Sequence, residues 1–127
     1  MKKLIASILV LIVLGVQSAV FAKPAKRIYF KKGATKAVVT GTMNGYKSKD
    51  TYVLRVREGQ TLKVDSNRSV TLAVVDPSGE DVMDRDLSCN GRAEISPTVA
   101  GDYKIIVVEC MKADPWRGSY KLNVSVK

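Results

Sequence analysis

Short runs in which apolar and polar residues alternate fill this chain after its first segment, and that alternation confines it to a β architecture. Tyr120, Leu122, Val124 and Val126 fall on one side of the last run, with Lys121, Asn123, Ser125 and Lys127 on the other. A strand with one face on a core and one in water has this period of two. Tyr52, Leu54 and Val56 repeat the pattern, as do Leu62 with Val64, Val70 with Leu72 and Val74, and Tyr103 with Ile105 and Val107. Ile28 with Phe30 and Val38 with Thr40 supply two earlier candidates. Between the runs stand turn formers. Asp76-Pro77-Ser78-Gly79 places proline second and glycine fourth in a turn, Asn44-Gly45 and Asn90-Gly91 favour positive φ, and Glu58-Gly59 is short enough for a hairpin. No stretch beyond the first segment holds apolar residues at helical spacing over three turns. The expected fold is all-β, an antiparallel β-sandwich of about eight strands.

The first segment is of another kind. Met1, Lys2 and Lys3 precede an apolar run from Leu4 to Val16, and Val20 and Ala22 supply small residues at the −3 and −1 places of a cleavage point. This is the layout of a secretory signal peptide over residues 1–22, and the run is shorter than the ~20 residues a bilayer requires. Residues 23–127 then form a single domain, exported to the periplasm with no membrane insertion after cleavage. Two of the 21 basic residues lie in the leader, which leaves 19 against 12 acidic ones, a net charge of +7. Such a surface attracts anions. Export and the scatter of the basic residues among carboxylates argue against nucleic acid.

Cys89 and Cys110 are the two cysteines of the chain. In an exported protein they are expected to form a disulfide. With no histidine anywhere, metal ligation is poorly supplied, and neither metal nor cofactor is expected. The lack of histidine also removes the usual base for a serine or cysteine nucleophile. Glu80, Asp81, Asp84 and Asp86 form one acidic cluster, but their spacing matches no calcium loop, and a solvated loop is the expectation. The chain is not expected to be an enzyme. Two loops remain with binding composition. Residues 44–50 carry Tyr46 and Lys47; residues 111–118 carry Lys112, Trp116 and Arg117. Tyrosine, tryptophan and arginine on loops over a rigid scaffold are the composition of binding hot spots.

These loops lie in a longer resemblance. Val39-Thr40-Gly41-Thr42-Met43-Asn44-Gly45-Tyr46, then Asp50-Thr51-Tyr52, Glu58-Gly59-Gln60 and Ala100-Gly101-Asp102-Tyr103 resemble, in order and spacing, the bacterial periplasmic inhibitors of goose-type lysozyme. Phe30-Lys31-Lys32-Gly33 and Tyr120-Lys121-Leu122-Asn123-Val124 extend the likeness from about residue 28 to the C-terminus. The same pattern is similar to the broader pre-peptidase C-terminal-like sandwich, which includes carbohydrate- and collagen-binding modules. Inhibitors of invertebrate-type lysozyme carry a Ser-Gly-x-Tyr motif, and Ala100 stands here in place of its serine. The resemblance implies a lysozyme partner, goose-type by preference, blocked by loops inserted into its substrate cleft and a guanidinium paired with its catalytic carboxylate. Tyr46 matches the inserting aromatic. Arg117 takes one arginine place of the last long loop, and Lys112 keeps a charge near the other. The alternative function is an exported carbohydrate- or envelope-binding module that stacks sugar on Tyr46 and Trp116.

Overall fold

The computed structural model describes residues 23–83, 89–110 and 115–127. The expected signal segment, Lys112, and Asp84 and Asp86 of the acidic cluster lie outside the described residues. Eight strands run as β1 (Lys26–Arg27), β2 (Lys36–Asn44), β3 (Lys49–Val56), β4 (Leu62–Ser66), β5 (Val70–Val75), β6 (Arg92–Ile95), β7 (Gly101–Glu109) and β8 (Arg117–Val126). They form two four-stranded sheets, ordered β1-β3-β7-β5 and β2-β8-β4-β6. Every pairing is antiparallel except that of the short β1 with β3. The expected β-sandwich is observed.

The alternating apolar sets meet between the sheets. Leu54, Tyr103, Ile105 and Val107 from one face Leu62, Val64, Tyr120, Leu122 and Val124 from the other, all at most 2% exposed. At roughly 25 cal/mol for each Å² of apolar surface removed from water, these side chains hold the layers together. Period-two patterning is strong here because each strand has one dry face and one wet face.

Four local expectations are corrected. The strand containing Val38 and Thr40 turns the opposite face inward. Register pairs Ala37 with Val124, Val39 with Leu122 and Gly41 with Tyr120, so these residues share the core side of β8, while Val38 is 61% exposed. Glu58-Gly59 does not close a hairpin. β3 and β4 belong to different sheets, so residues 57–61 arch across the end of the sandwich, tied by Gln60 N–H to Thr98 Oγ1 and by the Thr98 hydroxyl to Arg57 O. At Asn90-Gly91 the positive φ falls one residue earlier than the pair itself, on Cys89 (69°). Ile28 is buried as expected, but the strand at this point is β1, just upstream. The turn at residues 76–79 forms as read, with Gly79 N–H on Asp76 O at 3.0 Å.

β1 is held by a surface ion pair. Arg27 sends two guanidinium nitrogens to the two carboxylate oxygens of Asp102 on β7, at 3.1 and 2.9 Å. The hydrogen bond from Arg27, helped by its charge, holds the Asp102 carboxyl below the ordinary range. A lowered folded value stabilises above the unfolded carboxylate range, and that contribution disappears as pH falls through the lower folded value. Urea midpoints measured between pH 7 and pH 2 should therefore show a smaller acid loss in Asp102→Asn than in the unaltered protein. Parallel curves would remove this pair from the acid response.

Candidate functional site

Strand direction places both candidate loops at one end of the sandwich. β2 ends where β3 begins, β4 ends where β5 begins, and β7 ends where β8 begins, all at the same pole. The two loops with binding composition also touch. Asn44 pairs with Arg117 at the rim of the second sheet, and Gly45 N–H donates to Trp116 O at 3.2 Å.

The loop carrying Tyr46 is a tight structure rather than a floppy one. Gly45 has φ of 80°, a conformation that costs glycine nothing, and Ser48 N–H returns to Gly45 O at 3.0 Å. Ser48, itself buried, accepts from Asn44 N–H at 2.6 Å. This turn lifts Tyr46 to 45% exposure and leaves Lys47 exposed beside it.

Trp116 is half-buried and works as a junction. Its backbone N–H donates to the Glu109 carboxylate at 2.6 Å, and its indole Nε1–H donates to Ser69 O at 3.1 Å. Together with the bond from Gly45, it ties the β2–β3, β4–β5 and β7–β8 connections to one another. Glu109 lies at the end of β7, only 1% exposed, with its other oxygen unpaired among the described residues. Glu109→Leu removes the acceptor of the Trp116 N–H and should loosen Trp116, read as a red shift of its fluorescence. Arg117 opens β8 and is exposed. Tyr120 is fully buried on β8 and Arg117 is three residues away, so alternation turns its side chain to the outer face of the sheet, at the rim.

The third connection was not singled out in the sequence. Arg68, at the tip of residues 67–69, lays its guanidinium over the Trp116 ring, 4.1 Å from the centroid. A Cβ placed at Gly118 would stand 3.8 Å from its Nη1, so the guanidinium also rests against the start of β8. No sequence pattern marks Arg68; only the folded pairing of β4 with β8 brings it to a residue 48 positions later.

The expected Cys89–Cys110 disulfide is present at the same pole, joining the end of β7 to the segment that enters β6. Cys89 N–H is held by Thr71 Oγ1 at 2.8 Å and Leu72 N–H by Asn90 O at 3.3 Å, which fastens this segment to β5. No group of three potential metal ligands occurs among the described residues.

A flank groove of about 350 Å³ opens below the Tyr46 loop, lined by Lys23, Lys26, Thr40, Thr42, Asp50 and Thr51 among others. Its floor is a buried hydroxyl chain. Tyr120 O–H donates to Asp50, the Tyr52 and Tyr120 hydroxyls are 2.7 Å apart, and Lys23 pairs with the other Asp50 oxygen at 3.1 Å. Burial, first, and the Asp50 acceptor raise the Tyr120 hydroxyl far above its usual range, so it remains a donor and Tyr52 donates to it.

Neither a protein-family model nor a curated protein sequence matches the chain. Solved structures do. Aeromonas hydrophila PliG, a periplasmic lysozyme inhibitor of g-type lysozyme, superposes with a TM-score of 0.66 at 23% identity, over 81% of this chain and 96% of that one. A mutant of the Escherichia coli PliG gives 0.61 at 21% identity, over 81% and 97%. The pre-peptidase C-terminal domain of a Bacillus anthracis collagenase gives 0.54 at 18% identity, over 82% and 95%. The two groups that the sequence resembles thus share its fold, and identities of this size speak to the fold.

Proposed function

We propose that this protein is an exported inhibitor of lysozyme that acts by binding, without chemistry of its own, and that goose-type lysozyme is its preferred target. One observation carries the reading: the two loops that match the inhibitor family stand at the same pole and are hydrogen-bonded to each other through Gly45 and Trp116. A cleft-filling inhibitor needs its contacts on one convex surface. Trp116, already held by Glu109 and Ser69, and the Cys89–Cys110 bridge lower the entropy lost on docking.

The target chemistry fits. Lysozymes hold a carboxylic acid in a glycan cleft. Tyr46 would supply apolar area and one hydroxyl at a sugar position, and a guanidinium from this pole would satisfy the carboxylate as water leaves. Lys47, Lys49 and Arg117 are exposed at or beside this pole and favour encounter with an acidic cleft. Residues 1–22 would deliver the chain to the periplasm, where a lysozyme that breached the outer membrane would meet it.

The sugar-stacking alternative is less well served. Arg68 covers one face of Trp116, which leaves no more than the other for a sugar.

The test is lysis of a bacterial cell-wall suspension by goose-, chicken- and invertebrate-type lysozymes, with and without residues 23–127. Inhibition of the goose-type enzyme is expected, weakened about 10- to 100-fold in Tyr46→Ala. No inhibition of any class at micromolar protein would sink the reading and turn attention to glycan binding.

A further inference from the structure

We infer that Arg68, on the β4–β5 connection, is the guanidinium that meets the carboxylate of the lysozyme cleft, and that Arg117 is a rim contact. The inference rests on the lysozyme reading above and names the residue that carries its central charge pair.

Three features single out Arg68. First, the backbone beneath it is fixed. Ser66 Oγ accepts from Arg68 N–H at 3.2 Å and donates to Arg68 O at 3.0 Å. Asn67 N–H donates to Lys121 O at 3.1 Å, and Asn67 Oδ1 accepts from Lys121 N–H at 2.7 Å, which moors the tip to β8. Ser69 O takes the indole N–H of Trp116. Every residue of the tip is therefore tied.

Second, the side chain is oriented. An arginine normally loses rotamer entropy when it is immobilised. Here stacking on Trp116 has already restricted it in the free protein. Stacking uses the flat face of the guanidinium and leaves its in-plane N–H groups for a carboxylate, which they match as a two-pronged fork.

Third, the charge is available. Arg27 is engaged with Asp102 and Arg92 with Asp65, whereas no described carboxylate pairs with Arg68. Glu109, the acidic residue nearest Trp116 in the bonding network, is spent on its backbone and buried. A mounted cation on a tied tip, which also lines a shallow hollow with Asn90 and Arg92, complements one occupant, an acidic group in a protein site. Arg117, with its side chain on the outer face of its sheet, is placed to touch the wall of such a site rather than its floor.

The experiment is a binding cycle, read by calorimetry, between the protein and goose-type lysozyme in two forms, unaltered and with its catalytic glutamate changed to glutamine. Arg68→Ala should weaken binding to the unaltered enzyme by about thirtyfold or more. Arg68→Lys should recover only a small part of this, because an ammonium cannot form the fork. Against the glutamine enzyme the Arg68→Ala penalty should shrink at least tenfold, while the penalty of Arg117→Ala stays the same. A merely supporting role for Arg68 under Trp116 predicts equal penalties against both enzymes, and that result would overturn the inference. So would tight binding by Arg68→Ala, which leaves lysozyme inhibition itself standing. Absence of binding by the unaltered protein would remove both.

Discussion

Gly41→Ala is expected to destabilise the domain by about 3 kcal/mol or more, read as a drop in the urea midpoint with little change in slope. The single methyl would stand 2.2 Å from the Tyr120 hydroxyl oxygen, 2.4 Å from Tyr120 Cζ and 2.6 Å from the Tyr52 hydroxyl. None of these can yield cheaply. Tyr120 is fully buried and Tyr52 2% exposed, and their hydroxyls are bound to each other and to Asp50. Swinging a ring aside would leave buried hydroxyls unpaired, at about 1–3 kcal/mol each, besides straining β2 against β8 where Gly41 opposes Tyr120. Removing the hydroxyl does not create the space, since Cζ is itself too close. Tyr120→Phe should therefore rescue Gly41→Ala only in part. A Gly41→Ala midpoint within experimental error of the unaltered protein would show that the hydroxyl chain is not packed this tightly.

The second large effect belongs to the disulfide. Cys89→Ala with Cys110→Ala should cost about 3 kcal/mol, the chain-entropy value for a loop of this length, given a sequence separation of 21. For a domain near 100 residues that lowers Tm by roughly 12 °C or more. The unaltered protein in strong reductant should melt with the double variant. Function should suffer beyond stability. Cys110 follows Glu109, the acceptor of the Trp116 backbone, so releasing the bridge loosens the base of this pole. Inhibition measured well below Tm should fall, while the core strands keep their strand signal in far-ultraviolet circular dichroism. An unchanged Tm in reductant would mean that the bridge adds nothing to the fold.

How far the sequence revealed this molecule depends on the range of the interactions involved. β8 could be read residue by residue because its alternation is set by one buried face, and Tyr120, Leu122 and Val124 are all fully or almost fully buried. The turn at residues 76–79 is a four-residue event and was legible for that reason. Glu58-Gly59 looked like a hairpin because the spacing allows one, yet which sheet receives the next strand is decided by non-local pairing. Val38 misled because β2 is an edge strand with valines on both faces, so hydrophobicity alone does not choose between them. β6 has only Ala93 fully buried and gave too little contrast to be seen. At the site, Tyr46, Trp116 and the two cysteines declare themselves by chemistry and turn context. Arg68 does not, since nothing local distinguishes it from other exposed arginines until β4 and β8 are side by side.

The single tryptophan of the chain stands at the junction of the three connections. Excited at wavelengths where tyrosine does not absorb, its emission is therefore an intrinsic optical probe of this pole, with no second tryptophan in the chain. Cleft entry that drives water from the half-exposed indole should shift this emission to shorter wavelength. Displacement of the overlying guanidinium should change its intensity. A glycan settling in the flank groove should do neither, which lets one cuvette experiment report where a ligand lands as well as whether it binds.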